Sequence, residues 1–135
     1  MERVSEHVTS GRFACKLAYA ADQTASLVRD FSGKMGDWSA FTHLKVDVFL
    51  ESASPRTMYF SVFDGQSTAG DWKTSAFFGS SQLKPGENRI EVPLKGVKVG
   101  ATGREINFGD IRALSVATSK SEAAGSITLD DLRVE

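Results

Sequence analysis

Aspartates and histidines are the residues of this sequence whose side chains could take part in chemistry. Two carboxylates suffice for glycoside hydrolysis, one as the acid and the other as the base or nucleophile. The aspartates available for such a pair are Asp47, Asp64, Asp71, Asp110, Asp130 and Asp131. A chain of 135 residues has little room for the deep cleft that desolvates a catalytic acid, so the composition does not favour a hydrolase.

The spacing of the other candidates supports neither metal nor nucleophile chemistry. The two histidines, His7 and His43, do not lie at metal-ligand spacing from each other or from Cys15. The sequence contains no nucleophile elbow, P-loop or dinucleotide-binding glycine motif. It therefore predicts that the protein is not an enzyme.

Apolar and polar residues alternate with a period of two along most of the chain, and helical periodicity is almost absent. The segment 43–50, for example, places its aliphatic residues on one face and Lys45, Asp47 and Phe49 on the other. Eight predicted strands follow from this pattern: 13–19, 26–31, 43–50, 57–64, 74–80, 88–94, 111–118 and 126–134. Many short strands without helices between them predict an all-β sandwich or barrel.

Two local signals refine the predicted strands. Pro85 and Gly86 predict a tight turn, because proline fixes φ at the first central position and glycine allows a positive φ at the second. In the last strand the apolar alternation changes phase at Asp130 and Asp131, which indicates a β-bulge or kink. The two carboxylates there are either a solvated edge feature or part of a cation site.

Length and charge limit the number of domains and the classes of partner. The chain of 135 residues, 41% of them hydrophobic, predicts a single domain over residues 1–135. A net charge of −1, with acidic and basic residues interspersed, argues against nucleic acid and against membranes as partners. The N-terminus lacks the apolar stretch of a signal peptide, so the protein is either cytosolic or a module of a longer secreted chain.

Five segments resemble, in order, motifs of galactose-binding-domain-like carbohydrate-binding modules. They are GRFACKL (11–17), DWSAFTHLKVDVF (37–49), LKPGENRIEVPL (83–94), FGDIRAL (108–114) and ITLDDLRV (127–134). The resemblance covers nearly the whole chain. It implies a two-sheet antiparallel β-sandwich of the jelly-roll type, and a non-catalytic module of a larger secreted, extracellular protein.

The resemblance also implies a structural calcium ion, which many members hold between the first strand and the first aspartate of the closing pair. That aspartate is Asp130 here, and oxygen ligands suit this ion. The opening strand of the family has no counterpart upstream of Gly11. Either the chain begins late in the family pattern, or Glu2 or Glu6 replaces the missing ligand; the alternative to calcium is a purely structural Asp130.

Binding of a polysaccharide or oligosaccharide is the function that the resemblance implies. Aromatic rings bury the C–H faces of sugars, while carboxylates and amides bind the hydroxyl groups. The corresponding residues lie on strand faces opposite the aliphatic set or in the loop after residue 64: Asp47, Phe49, Tyr59, Ser61, Phe63, Asp64, Asp71 and Trp72. We expect Trp72 and Tyr59 to be the stacking anchors, with Asp47, Asp64 and Asp71 as acceptors.

Two further features fit such a site. The predicted strand 111–118 carries Ala113, Ser115 and Ala117 on one face, which would leave a shallow floor for a ligand. Phe77 and Phe78 are adjacent, so one of their rings must face away from the core. The alternative is a structural or protein-interaction sandwich that packs on a neighbouring catalytic domain without binding sugar, with the same aromatic residues as interface anchors.

Overall fold

Nine antiparallel strands form two sheets in the computed structural model, which describes residues 1–12, 14–31, 33–67, 75–99 and 102–135. The strands are β1 (Glu2–Val4), β2 (Ala14–Tyr19), β3 (Ser26–Asp30), β4 (His43–Leu50), β5 (Arg56–Asp64), β6 (Phe77–Leu83), β7 (Gly86–Pro93), β8 (Ile111–Thr118) and β9 (Gly125–Val134). Sheet A has the order β1-β2-β9-β4-β7, and sheet B has the order β3-β8-β5-β6. A short 3-10 turn spans Gly33–Gly36. Within the described ranges, no helix has the length and apolar character needed to cross a membrane.

The predicted fold class, an all-β sandwich of two antiparallel sheets, is confirmed, with nine strands where about eight were predicted. The additional strand is β1, which lies upstream of Gly11, where no strand was predicted; it has only three residues and therefore gives almost no alternation signal. Strand β6 begins at Phe77, three residues after the start of the predicted segment 74–80, of which residue 74 lies outside the described residues.

The core fills the space between the sheets with the aliphatic and aromatic residues of the alternating strands. In β5, Met58, Phe60 and Val62 are fully buried, and each points away from the outer face of sheet B. The core cluster includes residues from both sheets. Trp38 is buried at the edge of this core, and its indole N–H donates to the Met35 carbonyl oxygen at 3.1 Å, so its polar atom is satisfied.

The link between β6 and β7 adopts a turn that Gly86 and Asn88 stabilise together. Gly86 has a φ of 87°, in the left-handed region that favours glycine. The Asn88 side chain accepts a hydrogen bond from the Lys84 amide at 3.0 Å and donates to the carbonyl oxygens of Lys84 and Gly86. This turn joins β6, an edge strand of sheet B, to β7, an edge strand of sheet A.

Strand β9 has an irregularity where the alternation changes phase. Its register against β4 shifts between the pairs Lys45–Arg133 and Asp47–Asp130. Asp131 has a φ of 49°, and Arg133 donates to its carboxylate. The kink is therefore a bulge in a strand that lies between β2 and β4.

Candidate functional site

The outer face of sheet B carries three of the predicted site residues together. Tyr59, Ser61 and Phe63 alternate with the core residues Met58, Phe60 and Val62 and therefore lie on the outer face, although Ser61 is only 7% exposed. Their neighbours on β8 are small: Tyr59 pairs with Ala117, Ser61 with Ser115 and Phe63 with Ala113. The predicted floor of small residues thus lies directly beside the row of Tyr59, Ser61 and Phe63.

Aromatic and aliphatic side chains border this floor on both sides. Across β5, Ser61 pairs with Phe78 of β6, whose ring is 42% exposed, whereas Phe77 packs against the core. Across β8, Ser115 pairs with Val28 of β3, which is 61% exposed. One cross-strand row therefore has apolar ends and two serines in its centre. Tyr59, in the next row, is 39% exposed and presents its ring to solvent.

A depression of about 490 Å³ lies at one end of the outer face of sheet B, lined in part by Val28, Phe63, Ser115 and Arg112. At its rim, the Arg112 guanidinium donates to both carboxylate oxygens of Asp110, at 2.6 and 3.2 Å. This bidentate pairing fixes the plane of the guanidinium group. The depression thus combines an apolar wall, a hydroxyl and a preorganised charged pair.

Asp64 lies at the bottom of that depression, but it is engaged by the protein itself. Its side chain is buried and accepts two hydrogen bonds from Arg104, at 2.6 and 3.1 Å. The Asn107 and Gln66 amides and the Ser67 hydroxyl also donate to it. Burial by itself raises the pKa of Asp64, but the bonds from Arg104, Asn107 and Gln66 outweigh it and lower the pKa below its ordinary value. With five donors on two oxygens, Asp64 organises two loops and has little capacity left for a ligand.

Asp47 and Phe49 do not lie with these residues, because β4 belongs to sheet A and both side chains point to the outer face of that sheet. The N-terminal segment covers this region. The His7 ring stacks on Phe49, with 3.5 Å between ring centroids and 7° between their planes. The His7 Nε2 atom lies 3.9 Å from a Glu51 carboxylate oxygen. The predicted residues are thus divided between opposite sides of the sandwich, and Phe49 has a structural partner.

Asp130 anchors the same N-terminal segment. Its Oδ2 atom accepts hydrogen bonds from the Thr9 amide at 2.6 Å, the Thr9 hydroxyl at 3.0 Å and the Ser10 amide at 2.7 Å. Burial raises the pKa of Asp130, but the Ser10 and Thr9 bonds outweigh that effect and lower the pKa below its ordinary value. Among the described residues, no group of three or more His, Cys, Asp or Glu side chains is placed to hold a metal ion. N–H and O–H donors around Oδ2 do not fit a cation there, so the arrangement favours the structural role, and calcium stays an untested prediction.

Asp130→Ala is expected to release the N-terminal segment and to lower the free energy of unfolding by about 1–2 kcal/mol, because three donors of that segment lose a partly exposed charged acceptor. Proteolysis near residues 5–10 and a denaturation curve measure the two effects. Thr9→Val, which keeps the amide bond and removes the hydroxyl, should have a smaller effect. A rise of several degrees in the melting temperature of the wild type on adding CaCl₂, reversed by EDTA, would instead support a calcium ion at Asp130.

Two predicted residues, Asp71 and Trp72, lie outside the described residues. The structure adds Phe78, Val28 and Arg112 to the outer face of sheet B. The adjacency of Phe77 and Phe78 predicted that one of the two rings is exposed. It did not predict which residues of β5 they pair with. Val28 and Arg112 carried no signal of their own in the sequence.

Comparison with known proteins gives matches among solved structures alone. No family model matches the sequence, and no curated protein matches it. A family 11 carbohydrate-binding module from Clostridium thermocellum, in complex with a β-1,3-1,4-mixed-linked tetrasaccharide, aligns with a TM-score of 0.69 and 15% identity, over 98% of this chain and 79% of that chain. An exo-β-agarase aligns with a TM-score of 0.73 and 14% identity, over 98% of this chain but only 21% of the agarase chain. A family 16 carbohydrate-binding module aligns with a TM-score of 0.57 and 10% identity, over 98% of this chain and 83% of that chain. The chain therefore has the β-sandwich fold of these carbohydrate-binding modules, as the sequence motifs predicted.

Proposed function

We propose that this protein is a non-catalytic carbohydrate-binding module that binds a polysaccharide or oligosaccharide on the outer face of sheet B. The observation that carries the proposal is the floor of Ala113, Ser115 and Ala117 beside the exposed rings of Tyr59 and Phe78. Small residues let a sugar chain approach the sheet, and the rings offer flat apolar surfaces to its C–H faces. The Ser115 hydroxyl, in the same cross-strand row as Phe78, and the Arg112–Asp110 pair, beside Phe63 at one end of the face, supply hydrogen-bonding groups.

Similarity to known structures supports this proposal through the fold. The family 11 module of the same fold was solved with a mixed-linked tetrasaccharide, and two agarases contain a region of this fold. Mixed-linkage β-glucan and agarose oligosaccharides are therefore the first ligands to test. Affinity is expected to be modest, because a shallow face buries little area.

The absence of catalysis is part of the proposal, and the pairing of the carboxylates supports it. Asp64, Asp110 and Asp131 each bind an arginine, namely Arg104, Arg112 and Arg133. The hydrogen bonds that lower the pKa of Asp64 and of Asp130 favour their ionised forms, whereas a glycosidase needs one carboxyl group that keeps its proton. We expect no release of reducing sugar from any glycan that the protein binds.

We also propose that the module works outside the cell, next to a catalytic domain of a longer chain. The alignments with the agarases cover 21–22% of those chains, which is the arrangement expected of one module in a multidomain enzyme. No nucleic acid or membrane is proposed as a partner, because the net charge is −1 and the charges are interspersed.

Affinity electrophoresis and calorimetry against a panel of plant and algal polysaccharides test the binding proposal. We expect Tyr59→Ala and Phe78→Ala each to weaken binding about tenfold, and the double variant to lose detectable binding. Phe41→Ala is the matched control, since Phe41 is also about one-third exposed but lies before β4, away from this face. Equal losses in all three variants would place the site elsewhere. No response to any glycan, together with concentration-dependent dimerisation, would instead favour the accessory interaction domain.

A further inference from the structure

A second cavity lies between the sheets, on the side away from the outer face of sheet B. It has a volume of about 530 Å³ and is lined mainly by apolar side chains, among them Leu27, Phe31, Trp38, Leu114 and Leu132. The cavity opens to solvent on one side, where the lining residues Met1 and Met35 are 86% and 59% exposed, and its apolar walls gain little from water. A volume of 530 Å³ lies in the range of small-molecule sites. The cavity is therefore suited to an apolar ligand.

The charged residues that line this cavity have one sign. They are Arg29 and Arg133, and no carboxylate is among the described residues that line it. Arg133 already binds Asp131 and Glu135, whereas Arg29 makes no salt bridge with any described residue. Arg29 is thus the guanidinium group available to an anion. Leu27 and Leu132 also line a second, larger cleft. Its lining has both acidic and basic residues, so its charges do not favour an anion.

Strand β3 separates this cavity from the proposed sugar site. Leu27 and Arg29 point toward the cavity, while Val28 and Asp30 alternate with them and lie on the outer face of sheet B. A ligand in the cavity and a sugar on the outer face would therefore contact different side chains. The two sites can be tested independently.

We propose that the cavity binds a small organic anion with an apolar body, such as a fatty acid anion, whose carboxylate pairs with Arg29. The aliphatic and aromatic walls take the apolar body, and the guanidinium group takes the carboxylate. The Trp38 ring lies in the wall, in edge-to-face contact with Phe31 at 5.3 Å between centroids, so its fluorescence reports on occupancy.

Octanoate and octanol are the probes, because they share an alkyl chain and differ in charge. Calorimetry on the wild type is expected to show saturable binding of octanoate, about tenfold tighter than that of octanol. In a Trp72→Phe background, which leaves Trp38 as the remaining tryptophan, octanoate should change the fluorescence. Octanoate should also slow the alkylation of Cys15, which lines the cavity.

Variants at the cavity separate this site from general surface adsorption. Arg29→Gln should reduce the affinity for octanoate to that for octanol, and Leu132→Glu should abolish octanoate binding by placing a carboxylate at the cavity. Arg89→Gln removes the same charge from the outer face of sheet A and should have no effect. Absence of saturable octanoate binding, equal affinities for the two probes, or an unchanged affinity in Arg29→Gln would each overturn the proposal. A melting temperature and circular dichroism spectrum like those of the wild type would show that Arg29→Gln is folded.

Discussion

Replacing Asp64 with alanine is expected to reduce the free energy of unfolding by about 3 kcal/mol, the lower end of the range for breaking a buried ion pair, because the Asp64 side chain is buried but that of its partner Arg104 is 26% exposed. The residue is 1% exposed and is the acceptor of five hydrogen bonds. Its removal leaves the Arg104 guanidinium without its counter-charge and the Asn107 amide without its acceptor. Urea denaturation followed by circular dichroism measures the loss.

The pair Asp110–Arg112 provides the control, because it has the same chemistry at the surface. The Asp110 side chain is 41% exposed, so Asp110→Ala should change stability very little. Similar losses in Asp64→Ala and Asp110→Ala would mean that burial does not distinguish the two pairs.

The low pKa of Asp64 also predicts how stability depends on pH. Because the pKa of this carboxyl group is lower in the folded than in the unfolded protein, its contribution is complete above the unfolded value of about 3.9 and is lost as the pH falls through the folded value. The wild type should therefore lose stability below about pH 4, and Asp64→Ala should lose less over the same interval. If stability falls with pH in parallel in the two proteins, the lowered pKa of Asp64 is contradicted.

Gly36→Ala is expected to destabilise the fold by at least about 2 kcal/mol, as overpacking of a rigid contact does. A Cβ atom at position 36 would overlap the main-chain carbonyl oxygen of Ile111, the first residue of β8. That oxygen belongs to a paired strand and cannot move aside as the end of a flexible side chain would. The 3-10 turn would have to shift, and with it Trp38, whose amide donates to the Phe108 carbonyl oxygen at 2.7 Å.

Thermal denaturation, and the emission maximum of Trp38 in a Trp72→Phe background, test this expectation. A shift of the turn should expose the indole ring and move its emission to longer wavelength. Met35→Ala, in the same turn, is the control, because the Met35 side chain is 59% exposed and its loss should leave stability nearly unchanged. A fully stable Gly36→Ala protein with unchanged emission would show that the turn has room for a side chain.

Period-two alternation predicted which side chains share a face of a strand, but it carries no information on which sheet the strand joins. Tyr59, Ser61 and Phe63 were placed together correctly because they belong to one strand. Asp47 and Phe49 obey the same rule within β4, yet β4 pairs with β7 and β9, and that pairing depends on contacts far apart in sequence. The predicted set of site residues therefore combined two faces that the sandwich separates.

The burial of Asp64 could not be inferred from its neighbourhood in the sequence. The register between β5 and β8 shifts between Phe63 and Asp64, so that Asp64 does not continue the alternation of its strand. Its main partner, Arg104, lies 40 residues away along the chain. A polar residue at the end of a strand, followed by glycine, has the same appearance whether it contacts a ligand or holds two loops together.

The central position of β9 has a mechanical consequence. This strand pairs with β2 on one side and β4 on the other, and Glu135 continues with backbone bonds to residues 42 and 43. A force that pulls on Glu135 along the strand axis would load both ladders in shear, so that many bonds must break at once. The edge strand β1 is held by three residue pairs and would peel open one bond at a time. With the second attachment point kept the same, force spectroscopy should therefore record a markedly higher rupture force for pulling on Glu135 than for pulling on β1.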